Sequence, residues 1–113
     1  MIDKKSMRRQ YEEQVHPMGI YMITSKNADI RYIGSSLNVP QTKTTLFFRL
    51  SVGAMASYPQ LQDLYKQEGE AAISFEVLEF LDKHTNLEER DKQLAALKQL
   101  YLEQYKEAKE IRL

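Results

Sequence analysis

Gly19-Ile20-Tyr21-Met22-Ile23-Thr24-Ser25-Lys26-Asn27-Ala28-Asp29-Ile30-Arg31-Tyr32-Ile33-Gly34 is the stretch on which the fold turns. Its two ends, Gly19-Ile20-Tyr21 and Tyr32-Ile33-Gly34, are apolar triplets in opposite order, with ten residues between the tyrosines. β-branched and aromatic residues fill both ends, and the polar run 25–29 lies between them. That pattern predicts strand, turn, strand over 19–24 and 30–34. Each strand then carries a glycine at one end and a tyrosine close to it.

Downstream, Asn38-Val39-Pro40 reads as a loop entering a helix, with Pro40 in its first turn. The helix runs to about residue 50 or 52, ahead of Gly53. Thr42, Thr44 and Thr45 are weak helix formers, whereas Leu46-Phe47-Phe48 is apolar, and the Phe pair is expected to pack on the sheet. Tyr58-Pro59 opens a second helix over 59–68, with Leu61, Leu64 and Tyr65 on one face and Gly69 at its end. Residues 74–81 read as a third strand. Phe75, Val77 and Leu81 fall on one face by alternation, and Leu78 and Phe80 on the other. Two apolar faces predict a strand covered on both sides, hence central. A last helix starts near Leu87 and runs to about Ala108, with Leu94, Leu97, Tyr101, Tyr105 and Ala108 at helical spacing.

Upstream, residues 3–14 are charged and free of glycine, and Met7 and Tyr11 share a helical face. A short helix is expected there, ending near His16-Pro17, with Lys4, Lys5, Arg8 and Arg9 as a basic cluster. The order is α-β-β-α-α-β-α. It predicts an α+β fold with a small, three-stranded, mainly antiparallel sheet flanked by helices, in one domain spanning 1–113.

The composition narrows the function. Sixteen Lys+Arg balance sixteen Asp+Glu, so a strong, non-specific nucleic-acid binder is not indicated and any basic surface is local. Cysteine is absent, which excludes disulfides and thiolate metal sites. No apolar run approaches a membrane span, and no signal core follows Met1-Ile2-Asp3-Lys4-Lys5. The expected location is cytoplasmic, with no membrane contact.

The two triplets, in that order and at that spacing on a hairpin, resemble the GIY-YIG family of small metal-dependent endonucleases and nuclease modules. The following Ser35-Ser36-Leu37-Asn38, the segment Leu61-Gln62-Asp63-Leu64-Tyr65 and the run Phe75-Glu76-Val77-Leu78-Glu79 extend the resemblance to small bacterial and phage members, over about 17–106. The resemblance implies a nuclease fold in which tyrosines of both triplets stand near the attacking water. It also implies an Arg on the next helix for the phosphate, a His one turn later, and a Glu on the last helix for Mg²⁺ or Mn²⁺. Tyr21 and Tyr32 match the tyrosines, and Gly19 and Gly34 match the glycines.

The remaining positions depart from that pattern. Thr42 stands where the Arg is expected, Leu46 where the His is expected, and Lys98 where the Glu is expected. The family's terminal Asn segment has no counterpart in Lys109-Glu110-Ile111-Arg112-Leu113. A hydroxyl lacks the fork geometry of a guanidinium, and an ammonium repels a divalent ion. Arg49, two turns beyond Thr42 on the same helical face, is the one residue that could replace the missing cation.

Three readings compete. The first is a degenerate GIY-YIG domain, not an enzyme and without a metal cofactor. It would bind nucleic acid or a protein partner, with Lys26, Arg31, Lys43, Arg49 and Lys98 lining the former active face. The second is an active endonuclease built on Tyr21, Tyr32 and Arg49 with Mg²⁺ or Mn²⁺. The third is an unrelated α+β interaction domain. Nucleic acid and protein are equally open as partners.

Overall fold

The computed structural model describes residues 16–26, 30–82 and 85–113; the helix expected at 3–14, with its basic cluster, lies outside them. The hairpin forms as expected: β1 (Gly19–Ser25) pairs antiparallel with β2 (Arg31–Ser36), setting Tyr21 opposite Gly34 and Ile23 opposite Tyr32. Next come α1 (Val39–Ser51) and α2 (Pro59–Glu68), a single 3-10 turn (Glu70–Ala72), β3 (Ile73–Phe80), α3 (Leu87–Gln104) and β4 (Lys109–Glu110).

Local chemistry sets these boundaries. The Asn38 side chain accepts a hydrogen bond from the Gln41 amide at 3.3 Å and caps α1. Beyond the helix, Gly53 takes φ +74°. Gly69, at φ +84°, donates its amide to the Tyr65 carbonyl and ends α2. Asn86 caps α3 by accepting from the Glu88 amide at 3.3 Å. Glu88 and Glu89 add negative charge at the positive end of the helix dipole.

The sheet has four strands in the order β3-β1-β2-β4, not the three expected. The fourth strand comes from the chain end. The last helix, expected to reach Ala108, stops at Gln104, and β4 then pairs parallel to β2 with Tyr32 opposite Lys109 and Ile33 opposite Glu110. Burial explains the early stop: Ile111 is almost fully buried and its amide donates to the Ile33 carbonyl at 3.0 Å. A helix continued through Ala108 could not deliver this side chain to the sheet.

β3 is also not central. It lies at an edge and pairs with β1 alone among the described residues. The register between them shifts at Ile20/Tyr21: Ile20 opposes Glu79, but Tyr21 opposes Val77. Leu78 is therefore the extra residue of a β-bulge. A bulge inverts the alternation beyond it, so Phe80 joins the side of Phe75 and Val77 while Leu81 packs with Leu78 on the other. The face assignment from strict alternation fails for Phe80 and Leu81 for this reason. The apolar residues that suggested a central strand are half-buried or, at Phe80, exposed.

The sheet separates two apolar clusters. On one face Tyr21, Ile23 and Tyr32 meet Leu46 and Leu50 of α1, Leu61 and Leu64 of α2, and Ile111. On the other, Ile20, Met22 and Ile33 meet Leu94, Leu97 and Tyr101 of α3. Of the Phe pair on α1, Phe47 packs against the first cluster while Phe48 stays 64% exposed. Gln62 ties the α1–α2 connection together: its amide nitrogen donates to the Leu50 carbonyl at 2.9 Å, and its oxygen accepts from the Met55 amide at 3.0 Å. Among the described residues no helix is long and apolar enough to cross a membrane.

Candidate functional site

The two glycines of the hairpin triplets are where backbones come closest. A methyl group on Gly34 would stand 2.4 Å from the Tyr21 hydroxyl and 2.7 Å from the Ile111 carbonyl. One on Gly19 would stand 2.2 Å from the Glu79 carbonyl, beside the bulge. Gly34 thus leaves room beside β2 for the hydroxyl end of the Tyr21 ring. Gly19 lets β3 close onto β1. The role of both glycines is visible in the sheet itself.

Tyr21 forms the floor of a cleft of about 440 Å³. Its ring stacks on Phe75, with centroids 5.0 Å apart at 16°. Its hydroxyl is buried and has no hydrogen-bond partner among the described residues. Burial first, and the neighbouring Tyr58 second, hold the phenol well above the ordinary tyrosine range. The cleft walls come from the β2–α1 junction (Ser35, Ser36, Leu37, Asn38), from Gln41, Thr42, Thr45 and Arg49 of α1, and from Leu113.

Thr42 is engaged already: its hydroxyl and that of Ser36 are 2.5 Å apart. Ser36 also accepts from the Asn38 amide at 2.9 Å. The N-terminus of α1 is likewise satisfied. The Val39 amide donates to the Pro17 carbonyl and the Gln41 and Thr42 amides donate to Asn38, so the amides of the first turn of α1 are all engaged. Among the described residues Arg49 is its one charged side chain, and it has no ion pair there.

The tyrosines do not converge. Tyr32 shares the sheet face of Tyr21 but does not line the cleft; its ring meets the edge of Tyr58 at 5.4 Å and 80°. The chain end covers this region, where the Arg112 amide donates to the Tyr58 hydroxyl at 2.9 Å. Burial, then Tyr58, raises the Tyr32 phenol too. Both tyrosines are thus neutral donors rather than bases at ordinary pH.

Lys98 lies elsewhere. α3 covers the opposite face of the sheet, and the Lys98 ammonium donates to Glu110 of β4 at 2.7 Å, with Arg112 on the same oxygen at 3.0 Å. Glu110 is held below the ordinary glutamate range, first by the Lys98 bond and then by Arg112. Lys43 lines a different groove, between α1 and β3. Of the expected residues, the structure brings Tyr21, Gly34, Thr42 and Arg49 together; Tyr32, Lys43 and Lys98 stand apart from them.

The cleft wall holds hydroxyls, amides and one guanidinium; no Asp, Glu or His lines it among the described residues. That donor set does not fit a hard divalent ion, which seeks several carboxylate or carbonyl oxygens. It can hold a polar or anionic group by hydroxyl and guanidinium bonds. Ser36, Tyr58 and Leu113 belong to this region; from the sequence Ser36 and Tyr58 have a place in the fold but no role at the site, and Leu113 neither. Ile111 and Leu113, two apart among charged residues, were the available signal for the chain end.

Comparisons with protein-family models, with curated proteins and with solved structures give no match for this chain.

Proposed function

We propose that the protein is a GIY-YIG-type nuclease fold that works as a non-hydrolytic binding module. The observation that carries this reading is the wall of the Tyr21 cleft. Phosphodiester hydrolysis needs a base, a leaving-group acid and charge neutralisation at the phosphate. Tyr21 is neutral and buried, Thr42 is tied to Ser36, and Lys98 neutralises Glu110 on the far side of the sheet. Arg49 alone could meet a phosphate.

The paired glycines and the antiparallel hairpin support the fold half of the proposal, since both glycines sit at approaches too close for any side chain. For the partner, balanced charge and the partly apolar outer edge of the sheet favour a polypeptide. A second reading, a nucleic-acid phosphate at Arg49, rests on that guanidinium in the cleft, which has no ion pair among the described residues.

The test is incubation of the purified chain with supercoiled plasmid and with single-stranded RNA in Mg²⁺ and in Mn²⁺. No nicking is expected. Cleavage that disappears in Tyr21→Phe or Arg49→Ala would show a working active site and end this reading.

A further inference from the structure

We infer that the outer edge of β3, unpaired among the described residues, is with the groove beside it a docking site for an extended polypeptide segment of alternating cationic and apolar residues, added to the sheet as a further strand. The inference rests on the binding-module reading above and names the chemistry of the partner.

β3 hydrogen-bonds to β1 alone among the described residues. Alternate amides and carbonyls of its outer edge therefore point away from the sheet, a ready template for another strand. On the α1 side a groove of about 270 Å³ follows that edge, between Val39 and Pro40 on one wall and Phe75, Val77 and Phe80 on the other. At Lys43 and Phe75 it meets a second hollow, of about 550 Å³, that reaches Ile73. The bulge at Leu78 decides the shape: without it Phe80, 59% exposed, would point to the opposite face. Apolar side chains at alternate positions of an added strand would enter this groove.

The opposite side of the same edge is acidic. Glu76 and Glu79 are exposed there. From Lys66 to Lys83 the chain carries Glu68, Glu70, Glu76, Glu79 and Asp82 and no cation between. Glu79 also accepts a hydrogen bond from the Tyr101 hydroxyl at 2.9 Å. The intervening positions of an added strand lie across from these carboxylates, and cationic side chains complement them. A second copy of the chain fits badly. Centring an antiparallel β3 pair on Phe75, Glu76 or Val77 sets Glu76 directly or diagonally opposite its own copy.

The probe is a capped, fluorescent seven-residue peptide alternating Lys with Val and Phe, read by anisotropy against the full chain. Two control peptides replace Lys by Glu, or carry N-methyl groups on the amides that would pair. The expected result is saturable binding to the chain, weakened at least tenfold by either control. Glu76→Lys and Phe80→Ser, at exposed positions, should each weaken it at least fivefold with the thermal midpoint unchanged. The inference is overturned if the peptide does not bind, or binds equally well when N-methylated. It is equally overturned if sedimentation shows the chain pairing with itself through this edge, or if a single-stranded oligonucleotide competes for it. Its failure is separable from that of the binding-module reading. Plasmid nicking with intact peptide binding defeats only that reading; silence in both assays defeats only this one.

Discussion

Tyr21 and Gly34 act as one unit, because the ring occupies the space a side chain at Gly34 would take. Gly34→Ala puts a methyl group into contact with the Tyr21 hydroxyl and, less yieldingly, with the Ile111 backbone. We expect about 1–3 kcal/mol of destabilisation from this overpacking, measurable by urea denaturation. Tyr21→Phe should behave in the opposite sense. The hydroxyl is buried without a partner among the described residues, so its removal deletes a desolvation cost with no hydrogen bond to offset it, and an apolar atom in its place is tolerated. The expected thermal midpoint is unchanged or higher. A loss of about 1 kcal/mol or more would show that the hydroxyl has a partner in solution. The importance of both residues was legible in the chain, since glycine beside tyrosine on each hairpin strand is an unusual arrangement. Their lack of convergence was not, because Tyr32 is claimed by Tyr58, a residue with no local signal that it would reach the sheet.

At the scale of elements, the hairpin and the first two helices follow from apolar periodicity, Asn38, Pro59 and Gly69. Two elements were misread for identifiable reasons. β3 lost its expected alternation at a one-residue bulge, which leaves no mark in a period-two pattern except that Leu78, Phe80 and Leu81 cannot all be satisfied by it. β4 is two residues long, below the length at which a strand announces itself. What holds it is charge as well as packing: Lys98 and Arg112 converge on Glu110. Because the Glu110 pKa is lowered in the folded chain, its contribution is fully present above the ordinary glutamate value of 4.5 and is lost as pH falls below it. Glu110→Gln should therefore lower stability slightly at pH 7 and leave it unchanged at the acid end. The difference between variant and parent midpoints across pH 3–7 measures this, and it should shrink in high salt, as for any exposed ion pair. A constant difference across that range would mean that packing alone, not charge, seats the strand.

At the scale of the molecule, the described residues form a sheet with unlike edges: β4 closes one side over Tyr32, and β3 leaves the other side open beside an apolar groove. The α+β class and the order of the three described helices could be read from the chain, but which strand would stand at which edge could not, since edge position depends on contacts between distant segments. The closing strand has a consequence for how the chain comes to be made. β1 and β2 are neighbours in sequence and can pair as soon as both exist, whereas β2 and β4 must wait for residues near 110. On a ribosome adding about 5–20 residues each second, a few seconds pass between completion of β3 and arrival of Ile111. Throughout that interval the outer edge of β2 lacks the strand that will pair with it, and Tyr32 has its contact with Tyr58 but not yet the cover of Ile111.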